Sequence, residues 1–121
     1  MIKREYITMN INKETTLQEM TCNLLSSLNI FYFSIPNEHW NISFAQLNKL
    51  KKRGMVPGMP DLAILHNQKI YFMEFKSEKG KLTKQQSIII EYLREHGYNV
   101  AVVHNFDEVM DTLKILWKII K

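Results

Sequence analysis

The sequence predicts an α/β domain, a small mixed sheet with helices on both faces. Three observations predict it. Helical and strand-like patterns alternate along the 121 residues, as in layered α/β architectures. Two short apolar runs, Asp61 to Leu65 and Ile70 to Lys76, are joined around His66-Asn67-Gln68, a connection short enough to require an antiparallel hairpin. A third run, Asn99 to His104 (NVAVVH), follows a helical pattern and should lie parallel to a neighbour after a right-handed crossover.

The elements follow in order. Residues 1 to 12 show no period and are expected to be a loosely docked lead-in. Lys13 to Leu28 is expected to be a helix, with Leu17, Met20, Thr21, Leu24, Leu25 and Leu28 on one face. With Leu17 at the middle of that face, Glu14 falls at about 60° and looks inward, whereas Glu19 falls near 200° and faces solvent. Ile30 to Ile35 is rich in β-branched and aromatic residues and stops at Pro36-Asn37. Glu38 to Ser43 is a loop carrying His39 and Trp40.

Ser43 is placed to cap a helix from Phe44 to about Arg53, with Phe44, Leu47 and Leu50 as an apolar stripe and Gly54 after its end. The stiff segment Met55 to Pro60 contains Gly58, which lets another backbone or a ligand come close. Within the second run of the hairpin, Tyr71, Met73 and Phe75 share one face while Ile70, Phe72, Glu74 and Lys76 share the other. Thr83 begins a helix to about Glu95, with Ile89, Ile90 and Leu93 inward and Gly97 beyond its end. Asp107 is expected to cap a last helix reaching about Ile119. Its core face would be Val109, Leu113, Leu116 and Ile120, with Ile115 and Ile119 on another side.

Composition narrows the class. A hydrophobic fraction of 45% with 23% charged residues is ordinary for one globular domain, here residues 1–121. No apolar run approaches the ~20 residues of a membrane span. The N-terminus lacks the apolar core of a signal peptide, and the lone Cys22 excludes an intrachain disulfide and a cysteine-based zinc site. A cytosolic setting fits. The net charge of +4 and pI of about 9.2 favour an anionic partner such as nucleic acid. Lys49, Lys51, Lys52 and Arg53 precede the hairpin, and Lys76, Lys79, Lys81 and Lys84 follow it. Each cluster alone is also what a solvated surface looks like.

Asp61, Glu74 and Lys76 put charge where core strands should be apolar. A buried strand tolerates this only if the charges are paired or hold a metal. Pro60-Asp61, followed thirteen positions later by Glu74-Phe75-Lys76, matches the PD-(D/E)XK pattern of the restriction-endonuclease-like nucleases. Glu14 with Gln18, Ile35-Pro36-Asn37, Gly58-Met59-Pro60-Asp61-Leu62, Glu74 to Gly80, Leu82-Thr83 with Gln86, and Gly97-Tyr98 extend the match. On these residues the chain resembles one branch of that superfamily, the VRR-NUC (virus-type replication-repair nuclease) domain, from about Glu14 to the C-terminus.

The resemblance implies a three-layer α/β/α fold and hydrolysis of DNA phosphodiesters assisted by Mg²⁺ or Mn²⁺. Hard ions take oxygen ligands, and Asp61, Glu74 and the carbonyl of Phe75 are the implied set, with Glu14 added directly or through water. Lys76 emerges on the face of Glu74, where it can orient the attacking water or stabilise charge in the transition state. Gln86 matches a position near the site, but Thr83-x-x-Gln86 is equally a capping box. Lys51, Lys52, Arg53, Lys79, Lys81 and Lys84 are candidate contacts to the DNA backbone. The branch also implies a homodimer acting on branched DNA, such as four-way junctions or flaps, in the cytoplasm of a bacterium or phage-infected host. Two other readings stand beside it. One is a nuclease-fold module that binds nucleic acid without cutting; the other is a basic α/β domain that holds a protein partner.

Overall fold

The computed structural model describes residues 13–36 and 42–121, with the side chains of residues 13–15 left aside. The lead-in 1–12 and the loop residues His39 and Trp40 therefore lie outside the described residues. The element order is α1 (Lys13–Ser27), β1 (Phe31–Ser34), α2 (Phe44–Lys52), β2 (Leu62–His66), β3 (Lys69–Phe75), α3 (Lys84–Glu95), β4 (Asn99–Val103) and α4 (Phe106–Asp111). A π-helical turn, Thr112–Leu116, continues α4.

The four strands lie in the order β1-β2-β3-β4. β1 and β2 pair antiparallel, as do β2 and β3, and β3 pairs parallel with β4. The hairpin closes through Asn67 and Gln68, with φ of 50° and 65°. Two left-handed residues in succession make a type I′ turn, whose twist suits a two-residue hairpin. The expected antiparallel pair, parallel strand and crossover are all present.

A separate core covers each face of the sheet. On one, Leu17 and Leu25 of α1 pack with Tyr71, Met73 and Phe75 of β3 and with Val109, Leu113 and Ile119. On the other, Ile90 and Leu93 of α3 pack on Ala63, Phe72 and Val100. Each such side chain contributes roughly 1.5–3 kcal/mol when fully buried. Arg94 reinforces the second layer by donating Nε and Nη2 to the carbonyl of Val100, at 3.2 and 2.9 Å.

Four expectations are corrected. The last helix is capped by Asn105, whose side chain accepts from the Glu108 N–H, and not by Asp107. The π-helical turn inserts an extra residue into the helical period. Lys118, at φ 53°, then ends the helix. Leu116 is consequently turned outward, 68% exposed, and Ile119 is brought into the core at 8%. α2 is correctly capped by Ser43 and Gln46, but it buries no residue and its apolar stripe does not pack. Phe44, Leu47 and Leu50 are the only large apolar residues of this nine-residue helix, and with Lys49, Lys51 and Lys52 in its last turn they offer too little apolar surface to hold it against the sheet. Glu19 is half-buried and not open to solvent. Its Oε2 is shielded and makes no hydrogen bond among the described residues, so α1 is covered on more than the side turned to the sheet.

Candidate active site

The site lies where the second core runs out, at the C-terminal end of β3. Asp61 directly precedes β2, and alternation puts its side chain on the face of Ala63, beneath α3. Its Oδ2 accepts the Phe75 N–H at 2.8 Å. The strand thereby binds a side chain where β2 no longer supplies a backbone partner. A residue's N–H and C=O share one edge of a strand, so the Phe75 carbonyl is turned to the same edge as Asp61. The Ile35 N–H donates to the Asp61 carbonyl at 2.8 Å, fixing that backbone from the β1 side.

Glu74, on the α3 side of β3, is 2% exposed. A carboxylate this deeply buried needs compensation. Gln86 supplies part of it, donating Nε2 to Glu74 Oε2 at 3.2 Å. Lys76 stands just beyond the strand, with Nζ 3.9 Å from the same oxygen and its side chain 12% exposed. Its N–H donates to the Val103 carbonyl at 2.9 Å, which carries the parallel pairing one step further.

Gln86 makes the cap and also contacts Glu74. Its Oε1 accepts the Thr83 N–H at 2.9 Å, completing the capping box, while its amide nitrogen reaches Glu74. The first turn of α3 is thus tied to the end of β3 through one side chain.

The approach to Asp61 is fixed by a contact that only glycine permits. Gly58 has φ +90°, and a Cβ there would lie 2.8 Å from Gln85 Cγ and 2.9 Å from the Gln85 carbonyl oxygen. Gln85 also donates Nε2 to the Pro57 carbonyl at 3.3 Å. The turn carrying Asp61 is therefore seated on the N-terminal turn of α3. Nothing in the sequence marks Gln85, because a glutamine beside a cap has no pattern of its own. The same holds for Asn105, which donates Nδ2 to Glu78 Oε1 at 3.0 Å and links the loop after Lys76 to the start of α4. Nearby, Glu108 Oε1 accepts the His104 N–H at 2.9 Å and meets His104 Nδ1 at 3.0 Å; these hydrogen bonds hold the Glu108 carboxyl below its ordinary value.

The structure thus gathers Asp61, Glu74, Phe75, Lys76 and Gln86 at one sheet end. Glu14 lies in the first turn of α1, and its side chain is outside the described residues. Lys51, Lys52, Arg53, Lys79, Lys81 and Lys84 are all exposed. Among the described residues no three His, Cys, Asp or Glu side chains gather to hold a metal ion. Two carboxylates and a carbonyl at one sheet end are still a hard-oxygen donor set. They suit an ion that keeps several waters and takes further oxygens from a phosphate, as Mg²⁺ does.

A family model for the VRR-NUC domain matches residues 3–107, and the chain belongs to that family. Membership carries a nuclease-type function, with DNA as the implied substrate. Neither the curated proteins nor the solved structures gave a match. Among the described residues no helix is long and apolar enough to cross a membrane.

Proposed function

We propose that this chain is a Mg²⁺- or Mn²⁺-dependent DNA endonuclease, selective for branched DNA such as four-way junctions or flaps. The supporting observation is Glu74, a carboxylate 2% exposed at a strand end, with Gln86 and Lys76 directed at the same oxygen. A purely structural carboxylate would gain nothing from this depth, because burying a charge rarely repays its desolvation.

Asp61, Glu74 and the Phe75 carbonyl would hold the ion, with Glu14 contributing through water. Bound there, it would relieve charge on the scissile phosphate and acidify the attacking water. Lys76 orients that water and stabilises the negative charge that grows on the phosphate oxygens. The water gives up a proton to solvent as its oxygen forms the new bond to phosphorus, the P–O bond to the leaving sugar oxygen breaks, and that oxygen takes up a proton from solvent. Gln86 fixes the Glu74 carboxylate. Lys79, Lys81 and Lys84, with Lys51, Lys52 and Arg53, grip the phosphate backbone. A homodimer in the cytoplasm, cutting two strands of a junction, completes the reading.

The test is incubation with labelled junction, flap and linear DNA in Mg²⁺, Mn²⁺ or EDTA. Cleavage should require the metal and disappear in Asp61→Ala and Lys76→Ala. Cleavage that persists in EDTA or in both variants overturns the mechanism. Binding without any cleavage would favour an inactive module. Light scattering with and without DNA checks the dimer.

A further inference from the structure

α2 stands apart from both cores. None of its residues is buried, and Phe44 is 77% exposed, more than any other large hydrophobic residue described. Phe44, Asn48 and Lys51 recur at i, i+4 and i+7, so they share one face, with Lys52 on its flank. Phe44 and Lys51 are seven residues apart, or about 10 Å along the axis. The exposed face therefore presents an aromatic ring, an amide and two ammonium groups in a row. Lys49 and Arg53 fall about 140° and 180° around the axis from Phe44, on the other side of the helix, and no acidic residue occurs between Phe44 and Pro60.

These features select a polyanion over a protein partner. Protein interfaces deplete lysine from their centres. Here the apolar group shares its side of the helix with two lysines and nothing acidic to balance them. They also select the state of the nucleic acid. In a duplex each base already stacks on its neighbours and offers no open face to a phenyl ring. An unpaired or branch-point base does, and stacking on an aromatic side chain is a main source of affinity for single strands.

We propose that the exposed face of α2 is a binding site for unstacked nucleotides, in which Phe44 stacks on a base while Asn48, Lys51 and Lys52 hold the adjoining backbone. The proposal rests on the nuclease reading above and supplies a physical basis for its choice of branched DNA. Lys52 and Asp61 are linked through the Gly58 turn, so a strand held on α2 is tethered to the segment that carries the site.

The test measures fluorescence anisotropy of labelled single-stranded, flap, junction and linear duplex DNA in EDTA, where no cutting intervenes. Wild-type cleavage in Mg²⁺ is assayed in parallel. Phe44 is exposed, so its truncation should leave the fold intact. Phe44→Ala should weaken single-strand binding about 5- to 100-fold, lowering the ratio of single-strand to duplex affinity. Phe44→Trp should restore that ratio. If wild type cuts DNA and Phe44→Ala keeps its single-strand affinity, or loses single-strand and duplex affinity equally, this inference falls while the nuclease reading stands. If Phe44→Ala changes only self-association by light scattering, the face is an interface between copies and the inference is overturned. If wild type neither binds nor cuts any DNA, the nuclease reading fails and takes the inference with it.

Discussion

Asp61 Oδ2 accepts the Phe75 N–H at 2.8 Å, so a carboxylate stands where the next β2 residue would otherwise pair. This bond separates structure from chemistry. Asp61→Asn keeps an oxygen that can accept the same hydrogen bond but removes the charge. It should melt near wild type and lose cleavage by at least about a hundred-fold. Asp61→Ala should also lose about 1–3 kcal/mol of stability, because the buried Phe75 N–H is left unsatisfied. Urea unfolding with single-turnover cleavage checks both. Equal stability of the two variants would contradict the structural role.

The double bonding of Gln86 can be divided by comparison with its capping partner. Thr83→Ala removes the bond to the Gln86 N–H and should cost about 1 kcal/mol. It leaves the amide of Gln86 able to reach Glu74. Gln86→Ala keeps the Thr83 hydroxyl on its backbone N–H but loses the acceptor for the Thr83 N–H and the Glu74 contact together. At matched stability, Gln86→Ala should cut more slowly than Thr83→Ala. Equal cleavage rates would reduce Gln86 to a helix cap.

Gly58 and Gly97 both have left-handed φ, +90° and +84°, but only Gly58 has Gln85 against it. Gly97→Ala should show the backbone strain alone. Gly58→Ala adds a collision with a helix backbone, so it should lose clearly more than about 1 kcal/mol. It should also slow cleavage by displacing the Asp61 turn from α3. Thermal melts of the pair check the first point. Similar losses would mean that the turn yields without cost.

Glu108 gives a pH dependence of known sign. Its folded value lies below its unfolded one, chiefly through the hydrogen bonds from His104. The resulting stability is present above the unfolded carboxyl value of about 4.3 and is lost as pH falls through the folded value. The side chain is 46% exposed, so solvent screens the effect to under about 0.5 kcal/mol. Wild type should exceed Glu108→Gln slightly at pH 6, and the gap should shrink at pH 3. A gap that grows on acidification would refute the assignment.

The sheet and the charged strand ends were legible because each rests on local pattern. The second run alternates so that Glu74 and Lys76 must share a face, and the short connection after His66 allows only a hairpin. Less local features were hidden. The π-helical turn leaves no mark in a 3.6-residue period, so Leu116 and Ile119 exchanged places. Asn105 and Asp107 are both good caps, and the chain's exit from β4 chose the first. The link between Gln86 and Glu74 depends on how α3 sits over β3, which no spacing within either element states. Gln85 against Gly58 is hidden for the same reason.

The turn at Asn67 and Gln68 bears on the site from the opposite end of the hairpin. β2 has five residues, so Asn67 is six steps, about 20 Å, from Asp61. It nevertheless decides which residue of β2 stands opposite which residue of β3. One residue added there would displace the whole alignment, and side chains change sides with every step. Asp61 could not then meet Phe75 while Ala63 stayed inside. Two residues without catalytic chemistry thus act as the gauge for the active end. A length change at this outer tip, an ordinary place to tolerate one, should be among the least forgiving in the chain.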